Sequence, residues 1–161
     1  MRIERATSAD VDVIAALNEA IHARHRELAP SYFRLYSRDD VVVALREFFA
    51  EPETCAVLAW EGPKPIGYCL LKVIEREPNA WTEGFRRLLV DQISVEPNAQ
   101  RQGIGTLLMQ EACQFAREHH INEVTLEYWA NNDAARAFYQ ALGFEPLTEK
   151  VWLKIHDNVE H

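Results

Sequence analysis

Apolar and polar positions in this chain follow two rhythms, a period near 3.6 and a period near 2, and the changes between them mark out its elements. Ile3 to Ala6 reads as a short strand. Thr7 or Ser8 then caps a helix with Asp10 in its first turn. That helix sets Ile14, Leu17 and Ile21 on one side and is predicted to fray before Pro30. A second helix, from about Asp39 to Ala50, carries Val42, Leu45, Phe48 and Phe49. Thr54 to Trp60 and Pro65 to Ile74 read as strands joined by the turn residues Glu61-Gly62-Pro63. Glu75 to Gly84 is polar, holds Pro78 and Asn79, and reads as a loop between antiparallel strands.

Leu88 to Val95 is apolar and β-branched enough for a buried strand. Past it, Ile104, Leu107, Leu108, Ala112 and Phe115 fall on one face of a helix running to about His119. Glu123 to Tyr128 predicts another strand. A short helix from about Asp133 to Leu142 ends at Gly143, a residue suited to a left-handed stop. Val151 to Ile155 is β-rich enough for a last strand, and residues 157–161 read as a loose tail. No repeat or linker interrupts residues 1–156, which are therefore expected to form a single α/β domain.

Composition narrows the class. Of 161 residues, 48% are hydrophobic and 26% charged, as in ordinary globular chains. No apolar run approaches the roughly 20 residues that span a bilayer, and the first residues lack the apolar core of a signal peptide. Cys55, Cys69 and Cys113 form no paired motif, which favours a reducing compartment, and the cytoplasm is the expected location. Cys69 and Cys113 lie in apolar patterns and are expected to be buried. The net charge of −8 argues against a nucleic-acid partner and is compatible with a cationic one.

The chemistry concentrates at Gln100-Arg101-Gln102-Gly103-Ile104-Gly105, between the buried strand and its helix. A strand, a glycine-containing turn and a helix start aim main-chain amides outward, because the first-turn N–H groups have no partner within the helix. The helix dipole adds roughly 0.3–1 kcal/mol for a nearby anion. This arrangement reads as a pyrophosphate cradle. A P-loop would need Lys and then Ser or Thr after the last glycine, where Thr106 and Leu107 stand. A dinucleotide fingerprint would need glycine at Leu108.

What remains is (Gln/Arg)-x-x-Gly-x-(Gly/Ala). It is preceded by Ile93-x-Val95-x-Pro97 and followed by Asn132-x-x-Ala135-x-x-Phe138-Tyr139-x-x-x-Gly143-Phe144. From Leu88 to Phe144 the chain resembles the GNAT superfamily of acetyl-CoA-dependent N-acetyltransferases. The resemblance implies a mixed, mostly antiparallel sheet of about six to seven strands, splayed between the fourth and fifth, with about four helices. It also implies acetyl transfer from acetyl-CoA to a primary amine by direct attack. Implied too are a small-molecule or peptide acceptor, no metal, no membrane partner and room for a homodimer. A non-catalytic acyl-CoA sensor and a transferase of longer acyl chains are the alternatives.

Acetyl transfer makes definite demands. A primary amine with pKa near 10.4 is only about 1 part in 2,500 neutral at pH 7, a barrier of roughly 4.6 kcal/mol unless the site removes a proton. The departing sulfur, thiol-like with a pKa of about 8.5, leaves more easily if protonated. Asn132, Ala135 and Tyr139 share one helical face, which can run beside an extended pantetheine arm. The resemblance implies that Tyr139 is the general acid and that Asn132 touches the cofactor; otherwise Tyr139 is a core aromatic and Asn132 a helix-start residue. Asp91 is a candidate base, directly or through water, or else a strand-edge charge. It shares strand parity with Leu89, Ile93 and Val95 unless a bulge intervenes.

Main-chain groups of Ile93, Ser94 and Val95 are expected to meet the pantetheine amides. Gln100, Arg101, Gln102, Gly103, Ile104, Gly105 and Thr106 are expected around the diphosphate. In the resembled family the first helical pair forms the acceptor wall. Here His22, His25, Tyr32, Phe33 and Tyr36 cluster. His25 and Phe33 are the candidate substrate contacts, with His25 a second candidate base and a structural role the alternative. No spacing of His, Cys and carboxylates points to a metal, and no Ser or Cys sits in a nucleophile elbow.

Overall fold

The computed structural model describes residues 1–155. β1 (Arg2–Ala6) leads into a short 3-10 turn and α1 (Val11–Leu28), followed by α2 (Arg38–Ala50). β2 (Thr54–Glu61), β3 (Lys64–Arg76) and β4 (Phe85–Val95) form an antiparallel meander. α3 (Ile104–Glu118), β5 (Val124–Leu126) and α4 (Asp133–Ala141) complete the order. Local sequence explains the starts and stops. Thr7 closes a capping box with Asp10 ahead of α1, Ser37 caps α2, and Gly143 follows α4 with φ of +87°.

The strands lie in the order β1-β2-β3-β4-β5, antiparallel throughout except for the parallel pair β4–β5. Alternation along β2 and β3 feeds two cores. Val57, Cys69, Leu71, Leu88 and Val90 pack under α3 against Leu108, Ala112 and Phe115. Leu58, Tyr68 and Leu70 pack on the other face against Ile14 and Leu17 of α1 and Leu45 of α2. Cys55 and Cys69 are buried, and burial pushes both thiols up in pKa. Cys113 is only half-buried, a correction to its expected place in the core.

Among the described residues the sheet has five strands, not six to seven. Val151 to Ile155 forms no strand. Its side chains are exposed and it makes no sheet hydrogen bond. The β-rich composition expresses a local preference, but a strand also needs a partner edge, and here none lies beside it. β5 is correspondingly shorter than the expected 123–128. The expected loose tail, residues 157–161, and residue 156 of the expected domain lie outside the described residues.

β4 and β5 pair only at Leu88↔Val124, Leu89↔Thr125 and Val90↔Leu126. Beyond Val90 the two strands part, while β4 continues to Val95 along β3. The opening between strands four and five is therefore the gap between 91–95 on one side and 127–132 on the other.

Candidate functional site

The cradle takes its shape from two left-handed residues. Arg101 has φ of +62° and Gly103, at the start of α3, has φ of +81°. Alternating the backbone in this way turns successive N–H groups toward one side. Main-chain donors do find partners at Gln100 (to Pro97 O) and at Leu107 (to Gly103 O). Between them, the N–H groups of residues 101–106 make no hydrogen bond among the described residues. Six consecutive bare amides at the positive end of a 15-residue helix form a site for an anion.

Two glutamine side chains of the cradle bond to its own main chain. Gln100 Nε2 donates to Val95 O at 3.1 Å and Gln102 Nε2 to Asn98 O at 3.3 Å. Both glutamines brace the turn, leaving its main chain to face a ligand. Arg101 is exposed, and Thr106 lines a groove of about 210 Å³ with Met109, Gln110, Cys113 and Phe144. Gly105 has a packing reason: a Cβ there would meet Phe138 of α4 at 3.0 Å. A methyl group there fits only if the ring gives way by a few tenths of an ångström.

The β3–β4 register skips Asp91, pairing Leu71 with Val90 and Leu70 with Gln92. That bulge breaks the shared parity of Leu89, Asp91, Ile93 and Val95. Ile93 and Val95 now face the α3 core with Val90, whereas Gln92 turns to the α1 face. Asp91 is the first residue beyond the last β4–β5 pair and is exposed. Partial burial raises its carboxyl pKa, while Lys72 opposes the rise. A buried trio holds the bulge. Asn18 Nδ2 donates to Tyr68 OH (2.8 Å) and Gln92 Oε1 (2.9 Å), and Tyr68 OH donates to Gln92 Oε1 at 2.8 Å. Sequence reasoning missed this trio; its signal was a polar Asn18 on the apolar face shared by Ile14, Leu17 and Ile21.

Tyr139 stands on the opposite wall. It is 8% exposed and stacks on Tyr128 at 5.6 Å, with Phe138 and Phe144 against its other sides. Tyr128 belongs to the stretch after β5, so this stack sets Tyr139 beside the opening. Burial pushes its pKa up to about 12. Its hydroxyl makes no hydrogen bond among the described residues and is not one of the buried orphaned atoms. A protonated, unpartnered hydroxyl at the mouth of a gap is equipped to donate. Asn132 takes the helix-start role: its Oδ1 accepts from Ala135 N at 3.2 Å and caps α4.

His25 and Phe33 stack at 5.1 Å, and Phe33 meets Trp129 at 5.5 Å. Asn131 Nδ2 donates to Leu28 O at 3.1 Å, joining the end of α1 to the 127–132 wall. Burial and His22 lower the pKa of His25, so it is neutral at pH 7 and a weaker base than a free imidazole. Tyr128 and Trp129 were not singled out from sequence, although an aromatic pair directly before Asn131-Asn132 was there to be read.

The cradle, the opening and Tyr139 thus lie together, joined by the contact of Gly105 with Phe138 and the stack of Tyr139 on Tyr128. A family model described as "Acetyltransferase (GNAT) family" matches residues 21–144. The chain is 34% identical over 134 residues to N-alpha-acetyltransferase RimI of Mycobacterium tuberculosis, covering 82% of this chain and 77% of that protein. A crystal structure of a mutant BH1408 protein from Bacillus halodurans superposes with a TM-score of 0.90 at 18% identity, covering 97% of this chain and 100% of that one. AAC(6')-Iy in complex with the bisubstrate analogue CoA-S-monomethyl-acetylneamine superposes at 0.74 with 15% identity, covering 96% and 97%. At these identities the structural matches speak for the fold.

Proposed function

This chain belongs to the acetyltransferase (GNAT) family, and from that premise we propose that it moves an acetyl group from acetyl-CoA to a primary amine by direct attack. Acetyl-CoA supplies the activated acyl group. The observation that carries the reading is the run of bare amides at 101–106, which fits a diphosphate and has no partner of its own. Main-chain groups of Ile93, Ser94 and Val95, on the strand edge that β5 leaves, extend the same path.

Tyr139 acts at the leaving sulfur. With its pKa near 12 it keeps its proton at neutral pH and donates it as the carbon–sulfur bond breaks. Asp91, across the opening, draws the cationic acceptor and receives its proton, directly or through water. His25 and Phe33 border the side from which the acceptor comes. The peptide α-amine is the acceptor we place first, on the strength of the mycobacterial relative's name and its 34% identity.

The test is release of free CoA thiol from acetyl-CoA over a panel of peptides, polyamines, amino acids and aminoglycosides, with mass spectrometry of the product. Thiol release matched by an acetylated peptide N-terminus supports the reading. Silence across every amine would leave a binding module in its place.

A further inference from the structure

We propose that Tyr32, Phe33 and Trp129 form an aromatic shelf that receives a large apolar side chain carried beside the acceptor's amine. Its role rests on the acetyl transfer proposed above, of which it sets the acceptor class. Tyr128 and Trp129 are neighbours in the chain, yet their rings serve different walls. Tyr128 stacks on Tyr139 of α4 at 5.6 Å. Trp129 instead meets Tyr32 at 5.0 Å and Phe33 at 5.5 Å, both in the connection between α1 and α2. The Cα atoms of such neighbours are about 3.8 Å apart. One step along the chain thus separates the ring against the proton donor from the ring that opens the shelf. In an α-amine the group closest to the reacting nitrogen is the side chain on the same carbon, so the first residue's side chain meets the shelf.

The rings are not simply core. Tyr32 lies against Phe33 at 5.3 Å and is still 72% exposed, while Phe33 and Trp129 are half-buried. Leu35, in the same connection, is 71% exposed. Large apolar groups that face water beside an opening make a contact surface. This one is fixed before any ligand arrives. Tyr32 N and Phe33 N both donate to Ala29 O, at 3.0 and 3.4 Å, which turns the chain as α1 ends. His22 Nε2 pairs with Arg34 O at 2.8 Å, and the same imidazole lies edge-on to Phe33. The bond from Asn131 Nδ2 to Leu28 O ties the stretch that carries Trp129 to the end of α1. A shelf held from both ends loses little freedom when it is covered.

Charge decides what the shelf takes. Arg24 is paired with Glu27 and Arg34 with Asp40, so both guanidinium groups of this stretch are already engaged. His25, stacked on Phe33, is neutral at pH 7 because burial disfavours its charged form. The three rings therefore present faces and edges rather than charge. A carboxylate side chain would lose water against them, whereas Leu or Phe would bury carbon on carbon.

The experiment compares short peptide amides that differ only in the first residue: Gly, Ala, Leu, Phe, Lys or Glu. Thiol release from acetyl-CoA gives kcat/KM, and calorimetry of the full chain with CoA present gives Kd for the same peptides. Leu and Phe should surpass Gly and Ala by roughly tenfold or more in both. Tyr32→Ala removes a ring that is 72% exposed, so the fold should survive. The Phe-to-Ala ratio should then narrow by roughly fivefold. Trp129→Ala should narrow it too, and Trp129→Phe should restore part of it. A variant that only loosened the fold would slow every peptide alike and leave the ratio unmoved. Equal rates across the six peptides overturn the proposal, as does a preference for Gly, Ala or Glu. A preference for Lys also overturns it, because the rings would then be holding a cation. So does a ratio that Tyr32→Ala leaves unchanged. Failure of the transfer reading looks different, with no thiol released from any amine. The calorimetric order then decides the shelf alone: tighter Leu and Phe support it, and equal or absent binding overturns it.

Discussion

Gly105 of α3 touches Phe138 of α4 so closely that a Cβ on Gly105 would lie 3.0 Å from the ring's Cζ. This contact sets the spacing between the helix that opens at the cradle and the helix that carries Tyr139. Replacing Gly105 by Ala should force the ring or α4 to shift by a few tenths of an ångström, at a cost of about 1–3 kcal/mol. Thermal melting should show that loss, and titration calorimetry should show weaker acetyl-CoA binding. Adding F138L to G105A should recover much of both, since the shortened side chain relieves the clash. A fully stable G105A with unchanged affinity would detach the helix spacing from the cradle.

Tyr139→Phe removes only the hydroxyl and keeps the stack on Tyr128. Turnover should fall by roughly 10²–10⁴ with acetyl-CoA affinity nearly unchanged. Steady-state kinetics beside calorimetry separates the two. Normal turnover would retire the proton-donor role.

Asp91 should make catalysis depend on pH. Partial burial raises its pKa, so it gains its proton at a higher pH than a free carboxyl and loses the ability to draw a cation there. kcat/KM should therefore fall as the solution is acidified through that raised value. In Asp91→Asn the rate should be low throughout, with that acidic limb absent. An unchanged limb would assign the titration to another group.

Asn132 offers a test of its own. Asn132→Ala should lose the bond to Ala135 N and about 1 kcal/mol of stability. Asn132→Asp should restore most of it. If Asn132 only caps the helix, both should bind acetyl-CoA as the parent does; a matching loss of affinity in both would show a direct cofactor contact.

The tyrosines set an alkaline limit. Burial raises Tyr139 to about 12, pushes Tyr68 higher still, and raises Tyr36. In the unfolded chain all three ionise near pH 10. A folded pKa above the unfolded one leaves stability intact below pH 10 and drains it as the pH rises from 10 toward 12. Absorbance at alkaline pH reads their ionisation directly. These three should titrate only as the fold is lost.

The helices and the first four strands appear close to their predicted ends because each depends on neighbours in the chain. Capping by Thr7, the apolar stripe of α3 and the stop at Gly143 are set within one helical turn. The cradle was legible for the same reason: a strand, a turn and a helix start in sequence orient their own amides. The acetyltransferase reading followed from residues 88–144 read in order.

Tertiary structure decided what depends on partners far away along the chain. The bulge at Asp91 reverses the facing of every later residue of β4, and it exists because Leu70 and Leu71 pair around it. Asn18 meets Tyr68 and Gln92 across 50 and 74 residues. Gly105 serves Phe138 as much as any phosphate, and Val151 to Ile155 is left unpaired despite its composition. Local preference is a property of a segment and can be read from it. Register, close approach and the presence of a neighbouring edge belong to pairs of segments, and only the folded chain brings those pairs together.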